Sequence, residues 1–197
     1  MATKLILIRH GITRWNKERR YCGRIDINLS REGRNQAKKL KPIFKGIAVD
    51  KIYCSDKKRA LQTCRIIFGG AKFTRLHGLR EINFGVLEGL RHQQIMKKYG
   101  AIYQKWIKDP YKNHIPAAEK MNDFKKRICS VINKIARDNP DKTVAIVCHG
   151  GVIGIFVSSI YKSKDFWHYV PKSASVTVVE YKKNGKSYVN SRWSAQR

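Results

Sequence analysis

LILIRHG at residues 5–11 and VAIVCHG at residues 144–150 decide how this chain is read. Each is a short apolar run rich in β-branched residues that ends on a histidine followed by a glycine. Continuous apolar runs of this length, as opposed to alternating ones, are the pattern of strands buried on both faces of a parallel sheet. In open α/β sheets ligands collect beyond the carboxyl ends of the strands. If the two runs are neighbouring strands, His10 and His149 face one crevice, with Arg9 beside the first. Gly11 and Gly150 let the backbone approach a ligand closely, and a helix starting after Gly151 would aim N–H groups and its positive dipole end at the same place. Such a place favours an anion.

Working outward, KIYC at 51–54 reads as a third parallel strand and KFTRL at 72–76 as a further one. Ser30 is expected to cap a helix with Ala37, Leu40 and Phe44 on one face, ending at Gly46, and Ser55 to cap another that runs through Phe68 and stops at Gly69-Gly70. The stretch from Arg91 to Lys108 is helical but broken near Gly100, and DPYKNHIPAAEK is a loop. Met121, Phe124, Ile128, Val131, Ile132 and Ile135 make a stripe at helical spacing that ends at Asn139-Pro140, a packing helix. GGVIGIFVSSIY is apolar nearly all round, hence a buried helix. SASVTVVEY and SYVNSRW form a closing hairpin with Asn184-Gly185 at its turn. The expectation is one α/β domain over residues 1–197, three-layer α/β/α, its sheet mostly parallel with an antiparallel edge hairpin.

Forty-two basic and fourteen acidic residues give a net charge of +28, yet 42% of the 197 residues are hydrophobic, enough for a core without staples. A field of this sign draws anionic substrates or polyanions. Nucleic acid is a possible partner that the sequence does not favour, because the basic residues are spread from end to end and form no dense block. The five cysteines are odd in number and lack CxxC spacing, so they read as reduced residues of a cytoplasmic protein. No signal-peptide core or apolar stretch long enough to span a bilayer is visible. HxH, HExxH and CxxC spacings are lacking and the surroundings are basic, so neither a metal nor a cofactor is expected. The oligomeric state stays open, a homodimer included.

RHGITRWN at 9–16 with RYCGRIDINLSREGRNQA after it, SDKKRALQTC at 55–64, LREINFGVLEG at 79–89 and VAIVCHGGVIG at 144–154 resemble, in order, the motifs of the histidine phosphatase superfamily, the phosphoglycerate mutase-like family. The resemblance spans nearly the whole chain and implies a phosphoglycerate mutase-like fold. It implies His10 as the nucleophile that takes the phosphoryl group, and Arg9, Asn16, Arg59, His149 and Gly150 in the phosphate pocket. It also implies Glu81 as the acid. Glu88 rivals Glu81 within the same motif, and the match favours Glu81. A neutral imidazole is nucleophilic near neutral pH, and guanidinium forks suit phosphate oxygens. Burial and bound phosphate would raise the Glu81 pKa while Arg9 and Arg59 would lower it, and the sequence leaves that balance open.

Three departures from the family pattern stand out. Ile12 occupies a usually acidic position after RHG, PAAEKM replaces a glycine- and serine-bearing loop while keeping Glu119, and Cys148 takes the place of a frequent serine. Trp15 and Tyr21 read as loop anchors, and His77, His92, His114 and His168 show no functional pairing. Gly89 leads within a few residues into RHQQIMKKYG, leaving little room for the segment that encloses the bisphosphate in the cofactor-dependent mutases. A more open pocket favours hydrolysis over retransfer. The motifs look most like the alpha-ribazole and broad-specificity phosphatase branch, which implies a metal-independent phosphomonoesterase acting on a small-molecule phosphate ester. Mutase-type phosphoryl transfer, or polyanion binding on a phosphatase scaffold, are the alternatives.

Overall fold

The computed structural model describes residues 2–182 and 187–194. Six strands, β1 (Ala2–Arg9), β2 (Lys51–Ser55), β3 (Thr74–Leu76), β4 (Thr143–Cys148), β5 (Ser175–Lys182) and β6 (Ser187–Ser194), form one sheet in the order β3-β2-β4-β1-β5-β6. The first four are mutually parallel, β5 runs antiparallel to β1, and β6 antiparallel to β5. Asn184 and Gly185, the expected hairpin turn, lie outside the described residues. The helices are α1 (Arg14–Lys17), α2 (Arg31–Leu40), α3 (Lys58–Phe68), α4 (His92–Lys108), α5 (Met121–Asp138) and α6 (Gly150–Ile160).

Side chains of a strand alternate between faces, and the core divides accordingly. Leu5, Leu7, Val144, Ile146 and Cys148 pack with the apolar stripe of α5 and with α6. Ile6, Ile8, Ala145, Val147 and Cys54 point the other way, onto Leu40 of α2 and Ala60, Cys64 and Ile67 of α3. The result is three layers, as the continuous apolar runs require. No helix among the described residues is long and apolar enough to cross a membrane.

β1 and β4 are direct neighbours, with Arg9 opposite Cys148. The chain leaves β1 toward the layer of α2 and leaves β4 toward the opposite layer of α6. This is the topological switch point at which an α/β sheet opens a crevice, and it places the two histidine-glycine pairs at one edge of the molecule.

The local details follow their capping chemistry. Ser30 accepts the Gly33 N–H at 3.0 Å and starts α2, but the helix tightens to a 3₁₀ turn at Lys41–Phe44, because Pro42 has no N–H to continue the α ladder. Ser55 does not cap α3. The N-cap is Lys57, whose own N–H reaches the Ser55 hydroxyl at 3.5 Å, and Ser55 closes β2. The break foreseen near Gly100 lies at Tyr99, whose φ of -136° interrupts α4. Between β1 and α2, Thr13 and Asn16 cap each other reciprocally and set the single turn α1.

Candidate active site

His10 leaves the end of β1 only 4% exposed. Its Nδ1 lies 2.7 Å from the carbonyl oxygen of Gly11. A carbonyl can only accept, so Nδ1 carries the proton and Nε2 keeps its lone pair. The other face of the ring agrees, since Arg59 Nε–H donates to His10 Nε2 at 3.2 Å. Burial first, then the Arg59 and Arg9 guanidinium groups, holds the imidazole well below its ordinary pKa, and the ring is neutral near pH 7. Gly11 itself is locked, its N–H on Thr63 Oγ1 and its α-carbon against the backbone of Gly33, where a Cβ would stand 2.3 Å from the carbonyl oxygen.

Arg59, on the first turn of α3, is fully buried. Its Nη1 and Nη2 donate to the carbonyls of Ile25 and Gly23 at 3.0 and 2.8 Å, which fixes the plane of the guanidinium against His10. Burying a charge is tolerated only when it is paired or hydrogen-bonded. Here two carbonyls and an imidazole lone pair share that task.

His149 is the N-cap residue of α6 and fully buried. Its ring meets that of His10 edge-on, centroids 5.2 Å apart, and its Nε2 lies 2.8 Å from Ser55 Oγ. Burial, Arg59 and His10 hold it well below the usual imidazole value as well. Arg9 Nη1 donates to the carbonyl of Pro171. Two buried nitrogens of this group, His149 Nδ1 and Arg9 Nε, have no hydrogen-bond partner among the described residues. A buried polar atom without a partner costs about 1–3 kcal/mol, and Arg9 Nε, which can only donate, is free to meet an acceptor.

Glu81 is 8% exposed. Oε2 accepts the Gly151 N–H at 2.9 Å and Oε1 the N–H of Ile82 at 3.1 Å. Burial raises its pKa and outweighs those two N–H groups and the Arg59 and Arg9 charges, so the balance the sequence left open falls on the raised side. Gly150 and Gly151 are both required by space. A Cβ on the first would sit 2.8 Å from Arg9 Cζ, and on the second 2.4 Å from Glu81 Oε1.

A cleft of about 250 Å³ opens over this group, lined among others by Arg9, Asn16, Glu81, Gly150 and Gly151. The carboxamide oxygen of Asn16 is held by the backbone N–H and hydroxyl of Thr13. Of the residues expected in the site, Arg9, Asn16, Glu81 and Gly150 line this cleft, whereas His10, Arg59 and His149 are buried and are not among its lining residues. Sequence reasoning missed Ser55, the partner of His149, and the mouth formed by Arg19, Cys22, Phe84, Phe166, Trp167 and Val170. Only the motif SDKKRALQTC, which begins at Ser55, carried any hint of the first.

Glu88 is no rival for Glu81, since its two oxygens accept the N–H groups of Arg24, Ile25 and Phe84 and pin the 20–26 loop. Ile12 is not among the cleft residues and ties to α2 through Gln36 and Ser30. Glu119 lies away from the cleft, in a fork with Arg127. Burial pushes the Cys148 thiol well up, which keeps it protonated beneath His149. Among the histidines read as unpaired, His77 meets Asp56 at 2.7 Å, and Arg80 shares that carboxylate. A contact across twenty-one residues leaves no spacing signal.

Residues 5–194 match the model of the histidine phosphatase superfamily, branch 1, and the chain belongs to that family. It is a phosphatase of that superfamily, similar over 89% of its length, at 27% identity, to phosphoserine phosphatase 1 of Hydrogenobacter thermophilus, of which it covers 85%. It is 26% identical to the adenosylcobalamin/alpha-ribazole phosphatase of Escherichia coli, over 84% of each chain. The crystal structure of phosphoserine phosphatase from Entamoeba histolytica in complex with 3-phosphoglyceric acid superposes with a TM-score of 0.88 at 27% identity, covering 98% of both chains.

Proposed function

We propose that this chain hydrolyses small-molecule phosphate monoesters through a phosphohistidine on His10, without a metal. The observation that carries the reading is the fixed tautomer of His10, with Nδ1 bound to the Gly11 carbonyl and the Nε2 lone pair held toward Arg59. As the Arg59 Nε–H passes from His10 Nε2 to a phosphoryl oxygen, the freed Nε2 lone pair attacks phosphorus in line with the ester oxygen. As the P–N bond forms and the P–O bond breaks, protonated Glu81 gives its proton to the departing alkoxide. Glu81, now a carboxylate, then takes a proton from water as the water attacks the phosphohistidine. Inorganic phosphate leaves, and His10 and Glu81 return to their starting states.

Arg9, Arg59, Asn16 and His149 receive the phosphoryl oxygens, and the N-terminal turn of α6 at Gly150 adds its dipole. The Asn16 oxygen is committed to Thr13, which leaves its NH₂ to donate. Arg9 Nε, a donor without a partner among the described residues, gains an acceptor when phosphate binds. Two guanidinium groups against one carboxyl make a site for an anion, and the charge is carried by the protein's own cations.

The named relatives make phosphoserine and alpha-ribazole phosphate the substrates to try first. A cytoplasmic location is part of this reading, supported by five free cysteines. Mutase-type transfer remains the rival, supported by 30% identity to the 2,3-bisphosphoglycerate-dependent phosphoglycerate mutase of Blochmanniella pennsylvanica over 86% of this chain. The test is phosphate release from p-nitrophenyl phosphate and a panel holding both candidates, with EDTA present and His10→Ala alongside. Wild-type activity that disappears in His10→Ala, with an acid-labile phosphoenzyme trapped on quenching, is expected. Transfer between 3- and 2-phosphoglycerate outrunning hydrolysis would favour the mutase.

A further inference from the structure

Glu81 sits in an irregular segment between the 3₁₀ turn at His77–Leu79 and another at Gly85–Leu87, with no helix or strand of its own to hold it. A carboxyl that must give and take one proton at a fixed point needs support from elsewhere. The structure supplies it from α5. Arg127 Nη1 donates to the carbonyls of Gly78 at 2.7 Å and Arg80 at 3.0 Å, on the amino side of Glu81. Its Nε and Nη2 form a fork with Glu119, 2.8 Å to each oxygen.

Glu119 in turn reaches the carboxyl side. Its Oε2 accepts the Asn83 N–H at 3.4 Å, and its own N–H donates to the Asn83 carbonyl at 3.0 Å. Arg24, from the loop that also supplies the Gly23 and Ile25 carbonyls to Arg59, adds Nη2 to the same oxygen at 3.4 Å. One bidentate pair thus grips the backbone on both sides of Glu81 and links it to the loop that orients Arg59. The Arg127 guanidinium also lies over the Phe124 ring, 5.1 Å from its centroid, and the pair is mostly buried, 21% and 15% exposed at the side chains. Arg127 and Arg24 hold the Glu119 carboxyl ionised against the opposing effect of burial. The fork is therefore charged and directional.

We propose that Arg127 and Glu119 are positioning residues for Glu81, setting the carboxyl's reach to the leaving oxygen. They touch neither substrate nor reacting atoms. The proposal rests on the reading of Glu81 as proton donor, and the experiment separates the two. A poor leaving group such as an alkoxide needs the donated proton, whereas p-nitrophenolate departs without one. The value of kcat/KM reports the first irreversible step, here formation of the phosphoenzyme.

Glu81→Gln is expected to lower kcat/KM for an alkyl phosphate by about 10²–10⁴, and for p-nitrophenyl phosphate far less. Arg127→Gln and Glu119→Gln should show the same leaving-group-selective loss in weaker form, about tenfold for the alkyl ester against about twofold for the aryl ester. Arg127→Lys, which keeps the charge but loses the fork, should recover part of the alkyl activity. Each variant is compared at a temperature where its circular dichroism matches wild type, and Glu119→Gln, which retains an acceptor oxygen, stands in should Arg127→Gln fail to fold.

Equal losses on both esters, or no loss, in folded Arg127 and Glu119 variants would overturn the positioning role while leaving Glu81 as donor. Absence of the selective loss in Glu81→Gln itself would overturn the donor reading and this proposal with it.

Discussion

Glu81 and the two histidines titrate in opposite senses, and their burial is testable as stability. Both imidazoles are held well below their ordinary value. As the pH falls below about 6.5 the unfolded chain takes up protons that the folded chain refuses, so acidification costs stability. Glu81 is raised. Its contribution is fully present below the ordinary carboxyl value of about 4.3 and is lost as the pH rises through its folded pKa, where the folded protein holds a proton the unfolded chain has released. Above the ordinary carboxyl value of about 4.3 and below the ordinary imidazole value of about 6.5 the two effects oppose each other. Glu81→Gln removes one of them, so its melting temperature should climb more steeply with pH than that of wild type over this interval. Parallel curves would show that burial does not set these pKa values. Of the two imidazoles, Ser55→Ala bears on His149. It strips the partner from a buried Nε2 and should cost about 1–3 kcal/mol in denaturant unfolding, together with a rise in KM as the ring loses its orientation.

At the scale of elements, the strands that carry His10 and His149 were legible because their apolar runs are continuous and each ends on a glycine, and the chain order of strand and helix then left few topologies. The Met121–Ile135 stripe made α5 legible through its helical spacing. Pairing over distance was not legible. Nothing local couples Ser55 to His149, Arg127 to Glu119 or His77 to Asp56, because these contacts are created when separate elements dock. The glycines were read for backbone freedom, yet Gly150 and Gly151 are needed for the room they leave over Arg9 and Glu81. Ala is well tolerated in helices, so Gly151→Ala on the first turn of α6 should leave stability within about 1 kcal/mol of wild type. A Cβ 2.4 Å from Glu81 Oε1 must push the carboxylate aside, and a displacement of this order should cost about 10²-fold in kcat with an alkyl ester. Unchanged kinetics would show that the carboxyl can relocate freely.

Across the whole molecule the charge of +28 is less compensated near the cleft than its fourteen acids suggest. Glu18 is spent on Arg14 and Arg20, Asp56 on Arg80, Glu119 on Arg127, and Glu88 on backbone N–H groups, while Glu81 is buried. Arg9 and Arg19 line the cleft itself, and Arg20 beside them is the one cleft arginine that Glu18 pairs. Low-dielectric walls of one sign focus field lines and raise the local concentration of an oppositely charged substrate, an effect on encounter that salt screens within about 8–10 Å at moderate ionic strength. For a dianionic phosphate ester, kcat/KM should therefore fall severalfold, up to roughly tenfold, from low to high salt, with kcat constant. Lys38 and Lys39 are exposed on the outer side of α2; Lys38→Glu with Lys39→Glu should flatten that dependence and leave kcat at high salt unchanged. A duplex oligonucleotide held by the same general field should inhibit at low salt and be released with a slope of about 0.9 log unit per phosphate contacted. If kcat/KM is flat in salt while the oligonucleotide still inhibits, the positive surface serves a docking site apart from the cleft, and the steering account fails.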